Sequence, residues 1–384
     1  MIIQDLSFDK SVLICGPPDT GKASLLRSLP SFQDALFVDL EDPLLTRELL
    51  NKPGFMKEIL AEVEPGEWLT VNRIDRMIKF LPLIIEAIQS KKIILAATTT
   101  SLVPWKDHLS LFQLLYCSSM STSQTKNSLD LKQILSFGTL PKVYNLEKDV
   151  DKNRYLKNYL QDFLDMEILA KSLIRNLVPF HLFLPLAAHS SGQKINYTSI
   201  AQDLGIDYKT VQNYFDILAS LHVGIFLQPY DKKVKKTQQQ TPRFYFFDTG
   251  FHRAVSNTLD TPLLENSLNY NQLFKIFCIN EIKKINSLNN WGCKFSFLET
   301  KDGVSVDLII EKPNGDPDLL VFLTSTKILP KHIKHLKIIG KSIPHGRLIG
   351  VTAVSVSSED ERVSFIPYQK LGEIFREKSD QNNN

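Results

Sequence analysis

The chain has 384 residues, more than one ordinary core holds, and its 43% hydrophobic and 23% charged residues argue against a disordered, fibrous or disulfide-stapled class. A formal net charge of +3 neither requires nor excludes nucleic acid, so any basic surface has to be local. Four cysteines with no Cys-x-x-Cys pair are expected as free, buried thiols in a reducing compartment, and the lack of a secretory pattern or a long apolar run predicts a cytoplasmic protein without membrane contact.

From the N-terminus, "KSVLICG" reads as a short buried strand and "KASLLRSLP" as an opening helix with Leu25, Leu26 and Leu29 on one face, stopped by Pro30. Between them Gly16, Pro17, Pro18, Asp19, Thr20, Gly21 and Lys22 make a G-x-x-x-x-G-K loop, in which successive N–H groups converge on phosphate oxygens. Lys22 is expected to reach the β- and γ-phosphates. Ala23 stands where a hydroxyl would ligate Mg2+, and Ser24, one position on, is rotated about 100° away and does not replace it.

Next, "ALFVDLEDP" predicts a strand ending in Asp39 with Glu41 and Asp42 nearby, and "EWLTVNRIDRM" a strand ending in Asn72 and Arg73. "KKIILAATTTSL" predicts a further buried strand ending in Thr98, Thr99 and Thr100, residue types suited to sensing a γ-phosphate. Alternating strands and helices of this kind give an open, largely parallel sheet with ligand at the carboxyl ends of its strands.

Amphipathic helices are expected from "LEKDVDKNRYLKNYLQDFLDMEILAKSLIRNL". "NYTSIAQDLGIDYKTVQNYFDILASLHVGIFLQPY" then reads as helix, Gly205 turn, helix and strand, with Ile200, Leu204, Val211 and Leu218 as its apolar stripe. The second helix would show Lys209, Thr210, Gln212 and Asn213 to DNA, and the basic run with Lys232, Lys233, Lys235, Lys236 and Arg243 would form a wing that grips the backbone. In "RFYFFDTGFHRAV", Asp248, Thr249 and Gly250 are expected as a structural corner. The last segment alternates a helix, "QLFKIFCINEIKKI", with four strands, and His332, His335 and His345 are expected at the surface.

The order of "VLICGPPDTGKASLL", "FVDLEDP", "WLTVNRIDRM", "KKIILAATTTSLV", "SFGTLPKV", "SIAQDLGIDYKTVQNYFDIL", "RFYFFDTGFHRAV" and "SVDLII" resembles a prokaryotic family joining an AAA-type ATP-binding module to a C-terminal domain of unknown function. The resemblance implies an α/β fold: an AAA-like P-loop NTPase sheet domain at 1–136, a helical and winged-helix segment at 137–258 and a small PD-(D/E)XK nuclease-like α/β domain at 259–378; the polar composition of "SDQNNN" separately predicts a disordered tail at 379–384. In its register Asn72 and Arg73 occupy the positions of the metal-holding aspartate and the catalytic glutamate. The nuclease pattern is depleted likewise: Asp307 is kept, Phe322 and Thr324 replace Glu and Lys, and Lys275 replaces a helix glutamate, so nuclease activity is not expected.

The expected function is therefore binding of ATP or ADP with weak or absent hydrolysis, Mg2+ being poorly held and Lys22 with Arg73 placing two positive charges beside the phosphates. Nucleotide would act as a conformational ligand, and double-stranded DNA would bind at the winged helix. Two other readings stand beside it: an active ATPase using Asp39 or Asp75 as metal carboxylate, and a structural or interaction protein that binds no nucleotide. A second copy of the chain, or another protein supplying the missing acids, is left open as partner.

Overall fold

The computed structural model describes residues 8–52, 54–121, 130–230, 241–289, 291–313, 315–325, 328, 330–343, 345–356, 360 and 362–375. They pack as two compact units, Met1–Ser118 with Ser220–Val223, and Ser119–Ala219 with Gly224–Asn384.

Unit 1 runs β1 (Ser11–Cys15), α1 (Lys22–Ser28), β2 (Leu36–Asp39), α2 (Pro43–Asn51), α3 (Phe55–Ala61), β3 (Trp68–Asn72), α4 (Leu81–Gln89), β4 (Ile94–Thr99) and β5 (Phe112–Tyr116). The strands form one five-stranded sheet in the order β2-β3-β4-β1-β5, every pair parallel. All five residues of β1 are buried, as a strand covered on both faces requires. Val12 and Ile14 face Leu26 and Leu29, whereas Leu13 joins the core that receives Leu49, Met56, Ile59 and Ile84 from α2, α3 and α4. The chain leaves β1 through α1 on the first face and leaves β4 through Val103–Leu111, whose Trp105 packs on the second. At the carboxyl ends of these adjacent strands the connections thus depart in opposite directions over opposite faces.

Unit 2 begins with α5 (Leu131–Phe137), α6 (Pro141–Tyr144), α7 (Asp149–Asp162, continued by a π-helical stretch at Phe163–Leu169), α8 (Leu177–His189), α9 (Tyr197–Leu204) and α10 (Tyr208–Ser220). Then come β6 (Gly224–Pro229), β7 (Arg243–Phe246), α11 (Thr249–Val255), α12 (Leu268–Leu288), β8 (Lys294–Glu299), β9 (Ser305–Glu311), β10 (Asp318–Leu323), α13 (Pro330–Gly340), β11 (Arg347–Thr352) and β12 (Val363–Pro367). Gly205 is left-handed (φ 65°) and ends α9, so the helix-turn-helix forms where the apolar stripe places it, with Ile200, Val211 and Leu218 buried. The hairpin β6/β7 belongs to a seven-stranded sheet ordered β12-β11-β10-β9-β8-β6-β7, because β6 also pairs in parallel with β8 through Gln228 and Pro229. The segments expected as separate middle and C-terminal domains therefore share one sheet. One face of it packs on α12 through Leu273, Phe274, Phe277, Leu308 and Phe322, the other on α13 through Leu336, Ile339, Ile309 and Val321.

The corner at Asp248 interlocks two of the sequence signatures. Its carboxylate accepts the Thr139 N–H at 2.8 Å and, capping α11, the Phe251 N–H at 3.0 Å. Thr249 Oγ1 donates to the Ile134 carbonyl, and Arg253 Nη1 to the Ser136 carbonyl. Gly138 (φ 74°) and Gly250 are required by close approach: a Cβ on the first would lie 2.0 Å from Asp248 Oδ1, and on the second 2.1 Å from the Phe137 carbonyl oxygen. Burial pushes the Asp248 carboxyl up, although the N–H groups and the Lys284 ammonium draw it down. The expected structural role is what the geometry shows.

Among the described residues no helix is long and apolar enough to cross a membrane. Cys15 and Cys278 are buried, Cys117 and Cys293 half-buried, and all four are free. Of the three histidines expected at the surface, His345 is exposed and His335 half-buried, while the His332 side chain lies outside the described residues.

Candidate functional site

The loop from Gly16 to Lys22 starts at the end of β1, in the crevice where the connections diverge. Its first N–H, Gly16, bonds the Thr99 carbonyl at the end of β4. Gly16 (φ 153°), Asp19 (φ 53°) and Gly21 (φ 89°) have positive φ, conformations that glycine adopts at least cost. α1 has only seven residues, so the loop amides rather than a helix macrodipole carry any pull on an anion. Lys22 is buried, and its ammonium donates to the Gly16 carbonyl at 2.9 Å and to that of Pro17. Thr20 Oγ1 donates to Pro17 O at 2.9 Å. Ala23 is half-buried and Ser24 exposed.

One neighbour of the loop has no signal in the sequence. Cys117, just past β5, bonds Cys15 O through its N–H at 2.8 Å, donates its thiol to Thr20 O and accepts the Thr20 hydroxyl on its carbonyl. Its carbonyl is so close to Gly16 that a Cβ there would lie 1.8 Å from the oxygen. Burial pushes the Cys15 thiol up to about 12 despite Lys22, and raises Cys117 as well, so neither is a thiolate.

Asn72, Arg73 and Thr98 meet at the ends of β3 and β4. Thr98 Oγ1 donates to Asn72 Oδ1 at 2.7 Å and accepts the Arg73 N–H at 2.8 Å. Asn72 Nδ2 donates to Asp39 Oδ1 at 2.9 Å, its register partner on β2, and to Glu41 at 3.4 Å. An aspartate at position 72 would face two carboxylates; the amide supplies a donor to each instead. Arg73, left-handed at φ 56°, turns its guanidinium onto Asp75 at 3.2 Å and Glu41 at 3.4 Å. Asp75 is buried and also accepts the Thr100 hydroxyl at 3.0 Å. The arginine expected beside the phosphates thus faces its own acids. Asp39, the other candidate metal carboxylate, holds Arg27 at 3.2 Å and the Glu41 N–H at 3.0 Å.

In unit 2, Lys209 and Asn213 of α10 are exposed and Gln212 is half-buried. Thr210 is tied to Asp207, its hydroxyl at 2.6 Å and its N–H at 3.0 Å. Lys232, Lys233, Lys235 and Lys236 lie outside the described residues. Arg243 corrects an expectation: it is buried, its guanidinium over the Phe297 ring and paired with Glu299 at 2.9 Å, because the β6/β7 hairpin joins the main sheet through β6 instead of standing as a free wing.

Asp307, expected from the resemblance as a remnant nuclease carboxylate, pairs with Lys275 at 2.7 Å and accepts the Phe322 N–H at 3.0 Å. Burial alone would raise the Asp307 carboxyl, but Lys275, Arg243 and the Phe322 N–H together hold it below the ordinary 3.8. This lowered pKa makes the pairing a stabilising contribution that is complete above the ordinary aspartate value and lost as pH falls through the lowered one. Lys275→Met is expected to cost about 2 kcal/mol at neutral pH, below the usual figure for a broken buried pair because Lys275 is partly exposed. Thermal unfolding at pH 7 and pH 3 checks this: the gap between variant and wild type should narrow in acid, and a constant gap would rule out the pairing as its source.

A family model described as a domain of unknown function (DUF8612) matches residues 128–261, a stretch that contains both halves of the Asp248 corner. Two uncharacterized proteins, from Mycobacterium bovis and Mycobacterium tuberculosis, are each 20% identical over 327 residues, spanning 84% of this chain and 72% of theirs. Among solved structures, the Thermococcus gammatolerans McrB AAA+ assembly with bound McrC aligns over 71% of this chain and 78% of its own at 10% identity, with a TM-score of 0.24. Can2 from Sulfobacillus thermosulfidooxidans, in complex with cyclic tetra-adenylate, aligns over 95% and 97% at 11% identity, with a TM-score of 0.22. At such scores neither superposition carries an argument about this chain.

Proposed function

We propose that the chain is an AAA-like protein that binds ATP or ADP at the Gly16–Ser24 loop with little help from magnesium, hydrolyses it weakly or not at all, and contacts duplex DNA through α9 and α10. One observation carries the nucleotide reading. The glycine loop lies at the carboxyl ends of β1 and β4, where the connections diverge over opposite faces, the position at which open parallel sheets bind ligands. A polyphosphate there would take up main-chain N–H groups of the loop and compete for the Lys22 ammonium with the Gly16 and Pro17 carbonyls.

The metal-poor character follows from charge. Ala23 offers no hydroxyl, Asn72 no carboxylate, and Arg73 pairs with Asp75 and shares Glu41 with Arg76 while Arg27 pairs with Asp39, so the acids of the site are answered by the protein's own groups. Arg73 would have to leave one of these acids to reach a phosphate, and Thr98 is engaged in holding Asn72 and the Arg73 N–H. The DNA reading rests on the helix-turn-helix, whose second helix exposes Lys209 and Asn213.

Both halves are tested on the intact chain. With ATP and magnesium, phosphate release should match the buffer blank; release abolished by Lys22→Ala and by Asp75→Ala would establish an active ATPase instead. Duplex DNA affinity should fall steeply with salt, less so after charge removal at Lys209, Lys232, Lys233, Lys235 and Lys236. An affinity indifferent to those charges would end the DNA reading.

A further inference from the structure

We propose that the Glu41 carboxylate holds, on the outer N–H edge of Arg73, the place of a nucleotide's third phosphate, and that ATP displaces it where ADP does not. This selectivity rests on the nucleotide reading and involves residues of unit 1 alone.

The end of β4 separates Arg73 from the loop. On one side the Gly16 N–H bonds the Thr99 carbonyl; on the other the Arg73 N–H bonds the Thr98 hydroxyl at 2.8 Å. β1 and β3 are the two neighbours of β4, so their ends stand about 10 Å apart, twice the spacing of paired strands. A phosphate chain anchored at Lys22 and a guanidinium at position 73 would close that gap from opposite sides. On its other flank the loop meets the residue after β5, where Gly16 abuts the Cys117 carbonyl and the Cys117 thiol, kept neutral by burial, donates to Thr20 O. Those groups offer a third phosphate no charge.

The bonds of Arg73 are unequal. Nε and Nη2 both face Asp75, at 3.3 and 3.2 Å, and the Asp75 side chain is 1% exposed, so that pair is costly to break. Nη1 faces Glu41 at 3.4 Å, and the Glu41 side chain is 49% exposed. Glu41 also has Asn72 Nδ2 at 3.4 Å and Arg76 Nη2 at 3.9 Å, so it keeps both partners, with water, when Arg73 Nη1 is taken by another anion. Asp39 has no such freedom, being tied to Arg27, Asn72 and the Glu41 N–H. Of these three acids Glu41 is the one that can give way. A terminal phosphate carries more charge than a carboxylate and would take Nη1 without disturbing the pair on Asp75, because a planar fork serves two anions at once. A diphosphate ends one phosphate nearer the loop and leaves Glu41 in place.

Calorimetry on the intact chain in EDTA, with ATP and separately with ADP, tests this. The wild type should bind ATP at least about tenfold more tightly than ADP, the worth of one charge-assisted hydrogen bond. Arg73→Lys keeps a cation for Asp75 but has no second edge, and should bring the two affinities within about threefold. Glu41→Gln removes the competing charge and should tighten ATP by about threefold or more while leaving ADP unchanged, a split that a general change in stability would not produce. Should Arg73→Lys fail to fold, the Glu41→Gln split decides alone. Equal affinities in the wild type, a preference retained in folded Arg73→Lys, or no split between the nucleotides in Glu41→Gln overturns the selectivity and leaves the nucleotide reading intact. Absence of heat with both nucleotides removes the nucleotide reading and the selectivity together.

Discussion

Replacing Asp248 with alanine is expected to lower the unfolding free energy of unit 2 by about 4 kcal/mol, from two buried N–H groups orphaned at ~1–3 each, that of Thr139 and that of Phe251, the second being the helix cap itself. Asp248→Asn should fall between, since one oxygen remains as acceptor. Gly138→Ala and Gly250→Ala attack the same joint by volume, for each new methyl meets an atom closer than any real contact. The two units need not unfold together, so the loss is best read from hydrogen exchange across residues 243–255. A change below about 1 kcal/mol would mean that the carboxylate is not what holds the corner.

The second large effect is at the loop. Gly16→Ala should reduce ATP affinity by about 100-fold or more, equivalent to ~2.7 kcal/mol. Its methyl would lie 1.8 Å from the Cys117 oxygen at φ 153°, so either the peptide after β5 moves or the loop unwinds and its N–H groups no longer converge. Lys22→Ala should match it, because the ammonium that would meet phosphate is also the group bonded to the Gly16 and Pro17 carbonyls. Binding within about threefold of wild type for Gly16→Ala would place the nucleotide somewhere other than this loop.

The first four strands were legible because each is a short, mostly apolar run bounded by glycine or polar residues, although β2, at the edge of the sheet, is largely half-buried. β5 was not: "FQLLY" follows a leucine-rich turn and its spacing fits a helix equally well. The helix-turn-helix was legible from one stripe and one glycine. That its hairpin runs on into the C-terminal sheet was not, since pairing of β6 with β8 joins residues with no local trace of each other.

At the site, the loop and the missing hydroxyl of Ala23 could be read directly. The fate of Asn72 and Arg73 could not, because it depends on Asp39 and Glu41 arriving from the neighbouring strand and on Asp75 turning back beneath the arginine. A strand-end polar residue on both β2 and β3 was the available clue, once their carboxyl ends are aligned in register. Cys117 carried no signal; only the fold brings it to Gly16.

The most direct test is calorimetric titration of ATP into the intact protein, once in EDTA and once with magnesium. Saturable heat in both, with dissociation constants within about tenfold of each other, is the expected result, since the amide at position 72 and the ion-paired Arg73 leave the metal little to do. Heat that appears only with magnesium would contradict the account, for it would demand a metal carboxylate where the structure has Asn72, and no heat in either would remove the nucleotide altogether.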